Sequence, residues 1–151
     1  MINKKTKTIE ILIADDDAED RMLIHDALIE SRLKNNLQFV EDGEQLMDCL
    51  LNRGQFSDKE KYPLPGLILL DLNMPRKDGR EALTEIKSNP LLRSIPVVVL
   101  TTSKAEEDIL RTYDLGVSSF ITKPVNFNSL VDIMRTLNKY WFEIVELPTN
   151  H

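Results

Sequence analysis

Three short, almost unbroken aliphatic runs, at residues 9–14, 67–70 and 95–100, do most to limit what this chain can fold into. Runs this short and this rich in Ile, Val and Leu suit strands covered on both faces, the condition inside a parallel sheet. Two mixed runs, residues 37–41 and residues 118–122 around Phe120 and Ile121, suit the edges of such a sheet. Between the runs, apolar residues fall at helical spacing. Ile24, Ala27 and Leu28 mark a first helix, Leu46, Cys49 and Leu50 a second, and Ala82, Leu83 and Ile86 a third that stops before Pro90. Ile109, Leu110 and Tyr113 mark a fourth, capped by Gly116, and Leu130, Ile133, Met134, Leu137 and Trp141 a fifth. Strand and helix alternate five times, which predicts an α/β, doubly wound, five-stranded parallel sheet with helices on both faces. Right-handed crossovers and edge placement of the mixed strands give the order 2-1-3-4-5. In such a sheet the site lies beyond the carboxyl ends of strands 1 and 3, where the winding reverses.

Residues 54–65 carry Pro63, Pro65 and a charged run and read as an irregular loop, of a length that is often functional or mobile. A chain of 151 residues with 42% hydrophobic content is expected to form one domain with a real core. Net charge is −6, which argues against direct nucleic-acid binding, since phosphate contacts need a basic patch. No apolar run approaches the roughly 20 residues needed to span a bilayer, and no signal-peptide pattern follows Lys4, Lys5 and Lys7. Membrane insertion is therefore not expected. The one cysteine, Cys49, lies on a helical apolar stripe and reads as a buried small hydrophobe, and a chain without an internal disulfide fits the cytoplasm.

The chemistry lies at the strand ends. The first strand runs into Asp15, Asp16 and Asp17, and the third into Asp71. Carboxylates gathered there repel, so the cluster calls for a proton or a cation. An open set of oxygens suits Mg²⁺, which binds through one or two carboxylates, water and phosphate. Capping of the following helix is the plainer reading for such Asp residues, and it stays open for Asp17. The fourth strand ends at Thr101, Thr102 and Ser103, and the fifth is followed by Lys123 and Pro124. Alone, these read as a helix cap and a surface lysine. Together, a hydroxyl and an ammonium beside carboxylates suit a phosphoryl group, which offers acceptor oxygens and negative charge.

The motifs I-L-I-A-D-D, L-L-D-L-N-M-P-x-x-D-G, V-V-V-L-T-T and F-I-T-K-P stand in this order at these strand ends. With them the chain resembles the receiver domain of two-component response regulators over roughly residues 9–139. The resemblance implies a flavodoxin-like fold and a phosphorylation switch. A sensor histidine kinase would donate a phosphoryl group from phosphohistidine to Asp71, with Mg²⁺ as cofactor. It implies Asp15, Asp16, Asp71 and the Asn73 carbonyl as the metal set, and Thr101 and Lys123 as partners of the phosphoryl oxygens. It implies Phe120 as a switching aromatic, Pro75 and Gly79 as shapers of the loop after Asp71, and a cis bond before Pro124. Thr102 departs from the small residue common at its place, and Phe120 lacks the hydroxyl of the commoner Tyr. The readout would be a changed surface for a downstream protein or phosphotransfer partner, and the only reactions catalysed would be the domain's own phosphorylation and dephosphorylation.

The long segment before strand 3 and the ending K-Y-W-F-E-I-V-E-L-P resemble more narrowly the stand-alone regulators that partner bacterial phytochromes. The limits expected are an arm at 1–8, the receiver at 9–140 and an apolar tail at 141–151, too short for a DNA-binding output domain. Trp141, Phe142, Ile144, Val145 and Leu147 either pack back on the domain or form a homodimer contact. Two rivals remain. A phosphatase of the haloacid-dehalogenase type would want Asp where Asn73 stands. A phosphorylation-independent pseudo-receiver would lack one of Asp15, Asp16, Asp71, Thr101 and Lys123, and none is missing.

Overall fold

The computed structural model of the chain describes residues 9–30, 35–74, 76–77, 79–101, 117, 119–122 and 126–140. Five strands, β1 (Ile9–Ala14), β2 (Asn35–Val40), β3 (Leu67–Asp71), β4 (Val97–Thr101) and β5 (Ser119–Thr122), form one sheet in the order β2-β1-β3-β4-β5. Every pairing is parallel. The mixed strands are the edges, as expected. Among the described residues the helices are α1 (Ala18–Glu30), α2 (Gly43–Leu50), α3 (Gly79–Ser88) and α4 (Phe127–Tyr140). The helix expected around Ile109, Leu110 and Tyr113, the arm at 1–8 and the tail at 141–151 lie outside the described residues.

The aliphatic runs look continuous because each strand feeds two cores by turns. Ile11, Ile13, Leu67, Leu69, Val98 and Leu100 belong to one layer, with Ile24 and Leu28 of α1 and Leu130 and Met134 of α4. Leu12, Ala14, Ile68, Leu70, Val97 and Val99 belong to the other, with Leu46 and Met47 of α2 and Leu83 and Ile86 of α3. Side chains alternate across a strand, so apolar residues at every position load both faces. Each fully buried Leu or Ile contributes about 1.5–3 kcal/mol relative to exposure.

Helix starts are set by short polar side chains. Asp17 Oδ1 accepts the amides of Glu19 at 2.9 Å and Asp20 at 3.4 Å, which caps α1. Asp42 Oδ1 caps α2 by accepting the Gln45 amide at 2.8 Å. Gln45 Oε1 in turn accepts the Glu41 amide at 2.9 Å, a reciprocal pair close to a capping box. From the last turn of α3, Lys87 Nζ donates to the carbonyls of Arg93 and Ile95 beyond the helix, and burial holds its pKa below the ordinary lysine value.

Several boundaries differ from the sequence reading. Ile95 is not in β4: its amide donates to Leu92 O at 3.0 Å in the preceding turn, and Pro96 stands before the strand. Its side chain is buried all the same, which is why it reads as part of the run. β2 starts two residues earlier than expected and stops before Glu41. Residues 54–65 are organised rather than irregular. They open with a 3₁₀ turn, Gly54–Phe56. Asn52, at φ 55, donates its side-chain amide to the carbonyls of both Phe56 and Tyr62 at 3.0 Å. The rings of Phe56 and Tyr62 meet edge to face at 5.0 Å, and Gly66 N donates to Glu10 O at 2.8 Å where β3 begins.

Cys49 is buried, as expected, and burial pushes its thiol from the ordinary 9.0 up to about 11. The fold holds this thiol neutral, so the unfolded chain loses the proton first as pH rises. The associated stability is complete below about pH 9 and is lost as pH rises toward about 11. Across that window, denaturant titrations of wild type are expected to lose roughly 2–3 kcal/mol more than those of Cys49→Ala.

Candidate functional site

Register decides which side chains share the carboxyl edge. Ala14 is level with Leu70 across β1 and β3, so the residues that follow, Asp15 and Asp71, leave the sheet side by side. Asp71 is level with Leu100 across β3 and β4, and Thr101 with Thr122 across β4 and β5. Asp71 and Thr101 therefore end adjacent strands, and Lys123 follows Thr122 in sequence.

Asp15, Asp16 and Asp71 each offer a carboxylate oxygen within 4.8 Å of the others. Asp15 is 0% and Asp71 2% exposed, while Asp16 is open to solvent. The two buried carboxylates are turned by local amides: Asp15 Oδ1 accepts Asp17 N at 2.9 Å, and Asp71 Oδ1 accepts Asn73 N at 3.0 Å. Asp17 itself turns to cap α1, which resolves its role in favour of the cap. Three carboxylates this close cannot all stay ionised cheaply without a counter-charge. Hard oxygen donors, two buried and one open, fit a divalent cation that keeps part of its water.

The loop after β3 is closed by backbone contacts. Leu72 N donates to Leu100 O at 3.0 Å, and Gly79 N donates to Leu72 O at 2.9 Å. A Cβ on Gly79 would lie 2.4 Å from Asp71 O, so only glycine lets α3 start this close to the strand end. Gly43 does the same from α2: its amide donates to Lys77 O at 2.9 Å, and a Cβ there would lie 2.1 Å from that oxygen.

Sequence reasoning missed four residues here. Arg21 Nη1 donates to Asp15 O at 2.7 Å, and its Nη2 lies 3.8 Å from Glu41 Oε2. A cation thus braces the backbone of the acidic turn. Gly43 and Asp42 fasten the start of α2 to the loop. Arg76 adopts φ 63, in the left-handed region that costs a residue with a Cβ about 1 kcal/mol or more. The Asp-Gly pair at 42–43, one residue past an edge strand, is the sequence signal that could have marked such a corner. Thr101 ends β4 and Phe120 lies within β5. Thr102, Lys123, Pro124, Trp141, Phe142, Ile144, Val145 and Leu147 lie outside the described residues.

Comparison with known proteins agrees with this geometry. The family model described as the response regulator receiver domain matches residues 11–135. Response regulator Rcp1 of Synechocystis sp. is 43% identical over 138 residues, 91% of this chain and 92% of that protein. The crystal structure of the phosphorylated cyanobacterial phytochrome response regulator RcpA aligns with a TM-score of 0.78 at 42% identity, over 90% of this chain and 95% of that one. The Mn(2+)-bound form of response regulator Rcp1 aligns with a TM-score of 0.77 at 41% identity, over 90% and 96%. The chain belongs to the response regulator receiver family. It is a phosphorylation-signalling domain of the α/β receiver fold, with an acidic cluster that fits a divalent cation. Among the described residues, no helix is long and apolar enough to cross a membrane.

Repulsion within the cluster has a measurable sign. In EDTA, Asp71→Asn is expected to raise the midpoint of thermal unfolding by a few degrees, about 1 kcal/mol of relieved repulsion. In millimolar Mn²⁺ the wild type should gain stability by mass action and the variant far less. Calorimetry in the two buffers reads both effects.

Proposed function

We propose that Asp71 is the phosphoacceptor of a Mg²⁺-dependent switch, charged by a sensor histidine kinase of the phytochrome type. The observation that supports this most is the convergence of Asp15, Asp16 and Asp71 oxygens from two neighbouring strand ends. A carboxylate oxygen of Asp71 attacks the phosphorus of phosphohistidine; the P–N bond breaks, an acyl phosphate forms, and the freed imidazole takes up a proton. There is little covalent work for the protein beyond positioning and neutralising charge. Asp15, Asp16, Asp71 and the Asn73 carbonyl would hold the cation, which when bound neutralises the carboxylates and the phosphoryl oxygens. Lys123 pairs with a phosphoryl oxygen, and Thr101 donates its hydroxyl to another.

The switch is a population shift, so the phosphorylated form must make contacts the resting form lacks. Thr101 moving toward the phosphoryl group vacates space that Phe120 takes. Thr102, larger than the residue common at its place, slows the reset, and Pro124 belongs with the switch residues. The changed surface serves a downstream protein or phosphotransfer partner. The receiver spans residues 9–140. Trp141, Phe142, Ile144, Val145 and Leu147 of the tail serve a homodimer contact. The domain turns over no external substrate, binds neither nucleic acid nor membrane directly, and works in the cytoplasm.

Acetyl phosphate with Mg²⁺ is expected to give one hydroxylamine-labile phosphoryl group on wild type and none on Asp71→Asn, read by intact-protein mass spectrometry. Wild type left unmodified at saturating Mg²⁺ would favour a phosphorylation-independent binding module instead. Light scattering with and without beryllofluoride tests the tail. A monomer in both states removes the dimer.

A further inference from the structure

The loop that follows the acceptor strand is fastened at its crown to a helix outside the acidic cluster. Arg76, 66% exposed, places Nε 3.5 Å from Asp42 Oδ2 and Nη1 3.3 Å from Glu44 Oε1. Asp42 is nearly buried and already caps α2, so its position is set by the helix and not by Arg76. Beside this ion pair, Lys77 O accepts the Gly43 amide, and the Lys77 ammonium pairs with Glu85 of α3, whose carboxylate raises its pKa above the ordinary lysine value. The loop is thus tied to α2 through Arg76 and Lys77 O and to α3 through the Lys77 side chain. Its near limb carries Asn73, two residues beyond Asp71 and three before Arg76.

We infer that Arg76 is a positioning residue of the cation site: its ion pairs to Asp42 and Glu44 hold the loop in the shape that presents Asn73. This rests on the reading of Asp15, Asp16, Asp71 and Asn73 as the divalent-cation set. The left-handed backbone of Arg76 supports the same conclusion. A long, exposed cationic side chain gains nothing from that conformation by itself, whereas here it aims the guanidinium at the start of α2. The alternative is that Arg76 acts through charge alone. The two roles differ in sign. Removing a positive charge near a cation site strengthens cation binding by electrostatics, while releasing the loop weakens it.

The test uses the full chain and Mn²⁺ as the probe, with free Mn²⁺ counted by electron paramagnetic resonance at low ionic strength. Arg76→Gly keeps the left-handed backbone open and removes both ion pairs; Glu44→Gln removes one; Arg76→Lys keeps a cation. Arg76→Gly is expected to weaken Mn²⁺ binding roughly three- to tenfold, Glu44→Gln to weaken it less, and Arg76→Lys to restore most of the loss. In metal-free protein, hydrogen exchange at the Gly43 amide should speed up in Arg76→Gly, a readout that needs no bound metal. Tighter or unchanged Mn²⁺ binding by Arg76→Gly overturns the positioning role and leaves the cation site standing. Wild type that binds no Mn²⁺ at millimolar concentration overturns the site and the role together.

Discussion

The parallel, in-register pairing of β1 with β3 forces buried carboxylates together. Once Ala14 lies level with Leu70, Asp15 and Asp71 have no separate directions in which to leave the sheet. Repulsion between them is a standing cost, and the surrounding structure is built to contain it. Amides of Asp17 and Asn73 turn the two carboxylates, Arg21 braces the Asp15 carbonyl, and glycines at 43 and 79 let two helices begin against the loop. A chain that relaxed this crowding would lose the set of oxygens that fits a divalent cation.

The two apolar layers make that cost tolerable. Alternate residues of β1, β3 and β4 are buried against helices on opposite faces, so the central strands cannot slip by one residue without exchanging every side chain between layers. A slip by two would keep the layers but carry Asp15 and Asp71 out of level with each other. The precision of the site is therefore inherited from packing well away from it. This is the usual economy of doubly wound sheets, in which the strand ends gather side chains and the body of the sheet holds them still.

What was readable in the sequence follows the same division. Apolar runs and helical spacing reflect burial on a regular element, so strand order, the edge positions of β2 and β5, and the stripes of α1, α2 and α3 could be read directly. Asp15, Asp16 and Asp71 could be read because each stands at the end of such a run. Ile95 was misplaced because burial in a turn leaves the same mark as burial in a strand. Residues 54–65 looked irregular because their order comes from Asn52, whose amide bridges two carbonyls, and no periodicity records that. Arg21, Gly43 and Arg76 were missed for a related reason. Their roles depend on which loop lies against which helix, a tertiary fact; only the Asp-Gly pair at 42–43 leaves a local mark, and it does not say what the corner is fastened to.

The Asn52 clasp lies at the opposite pole of the sheet from the acids, where α2 ends and β3 begins. Because Asn52 gathers the excursion and Gly66 returns the chain to Glu10, the added length closes on itself before the strand starts. Extra residues inserted in its exposed stretch, residues 57–61, would lengthen the turn while Phe56 and Tyr62 stay packed on the core. That exposed turn is accordingly where an engineer could splice in a reporter while the acids at the far end of the sheet keep their places.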